Sequence, residues 1–191
     1  MERKRVIFIT DGDLYARKAV EHVAKVIGGR CISRSAGNPT PLSGKEIVQS
    51  IRETPYDPVL VMVDDCGFRG VGYGEQAMRY IHGQPDIDVI GAVAVASNTG
   101  HEEWSRIDVS VDRFGDVTEH GVDKEGIEAL EDGRVDGDTV YVLDELCLPV
   151  VVGVGDIGKM DGRDAVEQGC PITLAAVRWI MQRDRKQNGC K

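Results

Sequence analysis

The feature that most constrains this chain is a βα unit near its start. Val6–Thr10 is an unbroken run of β-branched and aromatic residues without polar alternation, which predicts a strand covered on both faces. Apolar residues then recur at the i, i+3, i+4 and i+7 spacing of one helical face, at Ala16, Ala19, Val20, Val23, Ala24 and Ile27. Gly28-Gly29 ends the predicted helix. A strand of this kind belongs in a sheet that helices cover on both sides.

The same alternation continues along the chain. Further buried strands are predicted at Arg30–Ser33, Pro58–Val63, Ile87–Ala96, Val140–Leu143 and Val150–Val154. Helices are predicted at Ser43–Glu53, where Ser43 and Glu46 match a capping box, at Gly74–His82, and from Pro171 onward. Strands that alternate with helices predict an α/β fold, a Rossmann-like or flavodoxin-like, doubly wound, mostly parallel sheet.

Residues 98–137 differ from the rest of the chain. Ile107–Val111 alternates with period two, and glycine and aspartate interrupt the sequence after it. This pattern predicts a small β-rich insertion with a short helix near Lys124–Leu130. Because no linker or repeat divides the chain, we expect residues 1–191 to form a single α/β domain that ends in a flexible tail at 185–191.

Charge and cysteine usage exclude some classes of function. The 191-residue chain has 23 Lys and Arg against 32 Asp and Glu, a net charge of -9, which opposes binding to nucleic acid through phosphate contacts. Its 5 cysteines form no C-x-x-C pair and are odd in number, which indicates reduced thiols. The apolar runs are shorter than the ~20 residues of a transmembrane helix, and no signal peptide is evident. We therefore expect no transmembrane segment and a reducing compartment.

Two acidic pairs follow predicted strands. Asp11 and Asp13 come after the first strand, and Asp64 and Asp65 come after the strand at Pro58–Val63. In a flavodoxin-like order these strands are neighbours, and ligands bind beyond the carboxyl ends of such strands. Converging carboxylates predict a site for Mg²⁺ or Ca²⁺. The alternative is that these aspartates cap helices and solvate loops.

A glycine-rich loop follows the second acidic pair. It comprises Gly67, Phe68, Arg69, Gly70, Gly72, Tyr73 and Gly74 and precedes a predicted helix. Glycines allow backbone N–H groups to approach an anion, and a helix N-terminus favours one. Three interpretations stay open: a ligand loop, a loop that binds a partner protein through Phe68 and Tyr73, and an inert surface loop.

A second glycine motif comes late in the chain. Gly153, Gly155, Gly158 and Lys159 satisfy both G-x-G-x-x-G and G-x-x-x-x-G-K directly after an apolar run. The second match fails at Met160, where a phosphate-binding P-loop needs Ser or Thr. A tight connection between strand and helix is therefore favoured over a nucleotide site.

Covalent catalysis has little support in the sequence. The four histidines show no metal-ligand spacing, and only His101, in a polar loop after a predicted strand, is a candidate general base or ligand. No G-x-S-x-G elbow is present, and Ser33, Ser35 and Cys66 lack an evident base. Whether the protein is an enzyme therefore stays open, and a role without covalent catalysis is favoured.

Several segments together resemble the soluble stage V sporulation protein AE family. The resemblance extends over nearly the whole chain, and Gly28–Thr40 is its most specific part. The matching segments are Val6–Asp13 with Ala16, Ala19 and Val20, Gly28–Ser33, Ser35–Thr40, Val63–Asp65, Gly70, Gly72–Gly74 and Gly153–Gly162.

The resemblance implies a role in spores. Proteins of that family are encoded with membrane proteins that move dipicolinic acid into the forming spore and out of it during germination. The implied role is that of a soluble, non-enzymatic accessory in the cytoplasm or spore interior, peripheral to the spore inner membrane. Its implied partners are the membrane and soluble proteins of that dipicolinate-transport assembly. The resemblance implies no active-site motif and no particular oligomeric state.

Two alternatives remain beside the accessory role. The acidic edge is consistent with a divalent-cation-dependent enzyme, or with a binder of a small anionic or phosphorylated ligand such as dipicolinate or its Ca²⁺ chelate. In the final predicted helix, Arg178, Arg183, Arg185 and Lys186 could contact anionic lipid or an acidic partner. Ordinary complementation of the helix dipole explains the same cations.

Overall fold

The structure is a computed structural model that describes residues 3–68, 71–97 and 104–188. Over these residues the chain forms strands and α-helices, joined by three short 3₁₀ turns. In chain order the elements are β1 (Lys4–Ile9), α1 (Leu14–Val26), β2 (Arg30–Cys31), α2 (Gly44–Glu53), β3 (Val59–Met62), α3 (Tyr73–His82), β4 (Ile87–Val95), β5 (Trp104–Arg106), β6 (Val109–Val111), β7 (Val117–Thr118), β8 (His120–Val122), β9 (Glu128–Asp132), β10 (Arg134–Asp136), α4 (Tyr141–Leu146), β11 (Val151–Val154) and α5 (Pro171–Asn188).

Most of the described strands form one sheet. Its order is β2-β3-β1-β4-β11-β6-β7. Neighbouring strands are parallel except for the β6–β7 pair, which is antiparallel. The remaining strands pair as two antiparallel ribbons, β5 with β10 and β8 with β9. The predicted mostly parallel α/β sheet is therefore confirmed.

Helices cover both faces of this sheet. Along β1, Ile7 and Ile9 belong to a core with α1 and α5, whereas Val6 and Phe8 belong to a second core with α2, α3 and α4. All four side chains are fully buried. This explains why β1 shows no polar alternation, since neither face meets water.

The strand order differs from both folds named from the sequence. Rossmann and flavodoxin orders place the second strand beside the first. Here β3 lies between β2 and β1, so these specific folds are not confirmed. The neighbours of β1 are β3 and β4. Strands β2 and β3 lie on one side of β1, whereas β4 and β11 lie on its other side. Such a reversal opens a crevice beyond the carboxyl ends of the strands.

The segment after β4 contains short strands, and two predictions within or beside it are wrong. Lys124–Leu130 is not a helix: residues 124–127 form a turn at Gly126, whose φ is 70°, and Glu128–Asp132 is β9. The Asp123 carboxylate closes this turn by accepting the N–H groups of Glu125 and Ile127. Val140–Leu143 is not a strand, because residues 141–146 form α4.

The predicted starts of α2 and of the last helix agree with the structure. Ser43 and Glu46 form the reciprocal capping box at the start of α2. The last helix begins at Pro171 and continues to Asn188, so residues 185–188 of the predicted tail are helical. Residues 189–191 lie outside the described part of the chain. Within the described residues, each helix is too short or too polar to span a bilayer.

Candidate functional site

A cleft of about 400 Å³ opens at the carboxyl ends of β1, β3, β4 and β11. Five aspartates and one lysine contribute its charged groups, and we call it the acidic cleft. Its charged lining residues are Asp11, Asp13, Asp64, Asp138, Asp156 and Lys159. Asn38, from the segment that most specifically resembles the sporulation family, also lines it. Three of the four aspartates predicted as cation ligands therefore lie together.

The first acidic pair is fixed by the turn that starts α1. Asp11 Oδ1 accepts the N–H of Asp13 at 3.0 Å. Asp13 caps the helix by accepting the N–H of Ala16 at 2.8 Å, and its other oxygen accepts from Lys159 Nζ at 2.7 Å. Asp13 is thus both a helix cap and an ion-pair partner, while one oxygen of Asp11 has no protein donor among the described residues.

Asp64 is fixed between two loops. Its carboxylate accepts the N–H of Gly12 at 3.1 Å and that of Cys66 at 2.7 Å. Thr40 Oγ1 accepts the backbone N–H of Asp64 at 2.8 Å, so the loop after β2 is tied to the end of β3. A Cβ on Gly12 would lie 2.1 Å from Gly37 O. The close approach of these three segments therefore requires glycine at position 12.

Asp65 does not line the cleft. It is buried, and its carboxylate accepts the N–H groups of Gly74 at 2.6 Å and Glu75 at 3.1 Å, at the N-terminus of α3. The chain's own carboxylate therefore occupies the helix terminus that the glycine-rich loop was predicted to offer to an anion. As a helix cap, Asp65 matches the alternative interpretation of the acidic pairs.

Burial and mutual repulsion perturb the acids of the cleft. Burial, with smaller contributions from Asp13, Asp156 and Asp64, raises the pKa of Asp11 to about 7. Burial, together with the negative charge of Asp138, raises the pKa of Asp64 to about 6 against the effect of its two backbone donors. The cleft can therefore exchange protons near neutral pH, and it attracts cations once its acids ionise.

Lys159 neutralises part of this negative charge. Its Nζ lies 2.7 Å from Asp13 Oδ2 and 3.2 Å from an oxygen of Asp156. Burial alone would lower the pKa of Lys159, but the two carboxylate partners raise it. Burial raises the pKa of Asp156 although its pairing with Lys159 acts in the opposite direction. The acids without a cation partner are thus Asp11, Asp64 and Asp138 among the described lining residues.

Sequence reasoning missed Asp138 and Asp156. Asp156 comes two residues after β11, so the rule that selected Asp11 and Asp64 would also have selected it. Asp138 had no such signal, because it follows β10 and its place depends on how residues 104–136 fold. Its carboxylate accepts a short hydrogen bond from the Gly67 N–H, which ties the glycine-rich loop to the cleft.

The glycine-rich loop after β3 has two exposed aromatic side chains and one closely packed glycine. Phe68 and Tyr73 expose 63% and 68% of their surface, while Arg69 and Gly70 lie outside the described residues. Gly72 lies against Asp65, where a Cβ would be 2.0 Å from its Oδ1.

The second motif serves packing. A Cβ on Gly153 would lie 2.6 Å from Ser110 Oγ, and one on Gly155 would lie 2.6 Å from Gly126 N. Gly158 has a left-handed φ of 75°. Because no long helix begins at this turn, no described helix N-terminus faces a phosphate position here. The favoured interpretation as a tight connection accounts for these contacts.

The cleft lacks a preformed metal geometry. Across residues 3–68, 71–97 and 104–188, no three His, Cys, Asp or Glu side chains are arranged to hold a metal ion. The carboxylate oxygens are nevertheless the donor type that Mg²⁺ and Ca²⁺ prefer. A cation bound here would have to draw Asp11 and Asp64 together or use water for its other ligands. His101, the one candidate base, lies outside the described residues.

The fold and this cleft define an α/β protein with an acidic pocket at the carboxyl edge of a mostly parallel sheet. The chain belongs to the stage V sporulation protein AE family, since the family model described as Stage V sporulation protein AE1 matches residues 5–184. It is therefore a sporulation-related protein. No match was found among the curated proteins or the solved structures.

Proposed function

We propose that this protein is a soluble, non-enzymatic accessory of the machinery that moves dipicolinic acid into and out of the spore. The observation that supports this role is the family match over residues 5–184. The protein acts through contacts with membrane and soluble proteins of that assembly, in the cytoplasm or spore interior. A strain that lacks the protein then forms spores that contain less dipicolinate or release it more slowly during germination.

The glycine-rich loop after β3 is the proposed contact surface. Phe68 and Tyr73 are largely exposed, and Val71 between them exposes 50% of its surface. Exposed aromatic side chains on a loop are the usual anchors of protein interfaces.

The experiment compares capture of assembly members by the wild type and by a Phe68→Ser, Tyr73→Ser double variant from gently solubilised sporulating cells. Tyr56→Ser is the matched control, because Tyr56 is half exposed but lies before β3, at the opposite edge of the sheet. We expect the double variant alone to lose the membrane partner. Equal capture by all three proteins would contradict the contact surface, and a strain without any dipicolinate defect would contradict the accessory role.

A peripheral location at the membrane is part of the same proposal. Arg178, Arg183, Arg185 and Lys186 are exposed on α5, and Arg183 lies 4.5 Å from the Trp179 ring. Juxtaposed cations attract the anionic surface of a bacterial membrane. Flotation with vesicles containing anionic lipid tests this location. Binding that falls when Arg183 and Lys186 become Gln supports it, and no flotation at low salt contradicts it.

The acidic cleft supports a second candidate function. Asp11 and Asp64 face one cleft with pKa values raised to about 7 and about 6. A bound divalent cation would remove the repulsion among these acids. The cleft is then a site for Ca²⁺, Mg²⁺ or the Ca²⁺ chelate of dipicolinate, or the centre of a cation-dependent enzyme that acts on a phosphorylated small molecule.

Calorimetric titration distinguishes these ligands. Mg²⁺, Ca²⁺, dipicolinate and its Ca²⁺ chelate are each titrated into the wild type, Asp11→Asn and Asp64→Asn. Asp116→Asn is the control, since Asp116 is exposed in the turn between β6 and β7, outside the cleft. Saturable binding that both cleft variants lose supports the cation site. No heat with any ligand leaves the carboxylates as structural groups of the loops.

A further inference from the structure

A second opening at the carboxyl edge has the opposite charge. It is a groove of about 420 Å³ beyond the ends of β6 and β11, and we call it the arginine groove. Its lining includes Arg113, Phe114, Asp161, Arg163, Gln168 and Ile172. None of these residues lines the acidic cleft. The groove therefore has its own chemistry.

Both arginines of the groove have spare hydrogen-bonding capacity. Arg113 is only 17% exposed, and its single ion pair among the described residues is a long one, with NH2 3.4 Å from Asp161 Oδ2. Its Nε is buried and has no hydrogen-bond partner. Arg163 has no carboxylate partner in the described part of the chain and lies over the Phe114 ring at 4.9 Å. An unpaired donor in a largely covered guanidinium calls for an explanation, and an anion that accepts from this side chain is one.

The groove also provides a flat apolar wall. Phe114 is 68% exposed and lines the groove. Arg163 stacks on this ring, which restrains its guanidinium. The nearby start of α5 adds no free donors, because Asp164 accepts the N–H groups of Ile172 at 2.9 Å and Thr173 at 3.1 Å. An anion here is therefore bound by the two arginines.

We propose that the arginine groove binds a small anionic molecule, with Arg113 and Arg163 as the donors to its carboxylate or phosphate groups and Phe114 against its apolar part. Guanidinium groups bind planar carboxylates and phosphates through paired, charge-assisted hydrogen bonds. The volume of the groove is in the range of small-molecule sites. Asp161 competes with such an anion for Arg113.

Two probes distinguish the anion classes. Inorganic phosphate and benzene-1,3-dicarboxylate are titrated into the full-length protein by calorimetry at constant ionic strength. We expect at least one of them to bind saturably, and the one that binds identifies phosphate or carboxylate as the preferred group. Arg113→Gln and Arg163→Gln each weaken that binding about tenfold, the contribution of one charge-assisted hydrogen bond. Arg34→Gln, at an exposed arginine in the 3₁₀ turn after β2, leaves it unchanged.

Asp161→Asn is expected to strengthen anion binding, a result that a purely structural role of these residues would not give. It removes the carboxylate that competes for Arg113, so we expect the same anion to bind several-fold more tightly. The fold tolerates this change, because Asp161 has a left-handed φ of 58° and asparagine adopts that conformation readily. The proposal is overturned if neither probe saturates, if Arg34→Gln weakens binding as much as the groove variants do, or if Asp161→Asn fails to tighten it.

Discussion

Asp11 is an acid whose ionisation the fold changes strongly. Its pKa is raised to about 7 in the folded chain from an ordinary value of 3.8, mainly by burial. Between about pH 4 and pH 7 the folded state retains a proton that the unfolded chain has released, so stability falls as the pH rises through this window. Asp11→Asn removes that effect and should raise the free energy of unfolding at about pH 8 by up to about 4 kcal/mol.

Urea denaturation of the wild type and Asp11→Asn at several pH values measures this difference. The gain should be largest at about pH 8 and nearly absent at about pH 3, where the carboxyl is mostly protonated in both states. Asp116→Asn, outside the cleft, should show no such pH-dependent gain. A constant difference at every pH would show that Asp11 acts through packing and not through its charge.

Gly12 sets the geometry of the cleft by its lack of a side chain. In Gly12→Ala the new Cβ would lie 2.1 Å from Gly37 O and 2.8 Å from Asp64 Cβ. Because both neighbours are fixed by backbone contacts, we expect a loss of about 3 kcal/mol in unfolding free energy.

Gly28→Ala is the matched control for this substitution. Gly28 has a φ of 75°, but no atom lies within 4 Å of the position that an added Cβ would take, so only conformational strain of about 1 kcal/mol is expected. Thermal unfolding of both variants measures the contrast. Equal losses would mean that the loops around Asp64 move apart at little cost.

The acidic cleft shows which residues of a candidate site a sequence can predict. Asp11 and Asp64 were predictable because each follows an unmistakable buried strand, and such strands end at the same edge. The sequence marks Lys159 only as part of a glycine motif. Its pairing with Asp13, 146 positions away along the chain, is a tertiary contact that no local pattern encodes. The position of Asp138 depends on the fold of residues 104–136, the least regular part of the chain.

At the scale of elements, α3 depends on a buried cap. Asp65 accepts two N–H groups of its first turn, and it is 3% exposed. Asp65→Ala leaves these donors buried and unpaired, which should cost about 2–3 kcal/mol. Ser43→Ala removes the exposed capping box of α2 and should cost only about 1 kcal/mol. Chemical denaturation ranks the two variants, and a smaller loss for Asp65→Ala would contradict this account of the α3 terminus.

Two elements differ from their sequence-based predictions for physical reasons. Residues 124–130 are rich in good helix formers, but a glycine with positive φ starts a turn there, and pairing with β8 makes Glu128–Asp132 a strand. Residues 140–143 are apolar at positions that suit either structure, since Val140 and Leu143 are three residues apart on one helical face. Local propensity cannot decide such cases, because long-range pairing decides them.

At the scale of the whole molecule, the segment 104–136 joins the main sheet through β6 and β7. β6 pairs with β11 in parallel, and Val111 is fully buried in the core beneath α1 and α5. Val122 and Val135 belong to the other core. These contacts support our proposal that the chain is one cooperative domain, in which the β-rich segment does not unfold by itself.

The two tryptophans of the chain test this cooperativity. Trp104 lies in β5 of the β-rich segment, and Trp179 lies on α5, so Trp179→Phe and Trp104→Phe variants each leave one reporter. We expect both reporters to give the same unfolding midpoint.

Val111→Ala should lower both midpoints equally, because it opens a cavity in the shared core. The expected loss of unfolding free energy is about 2 kcal/mol. The control Val117→Ala, at a half-exposed position in β7, should change neither. A shift confined to the Trp104 reporter would mean that residues 104–136 unfold as an independent unit, because the two reporters would then belong to separate cooperative transitions.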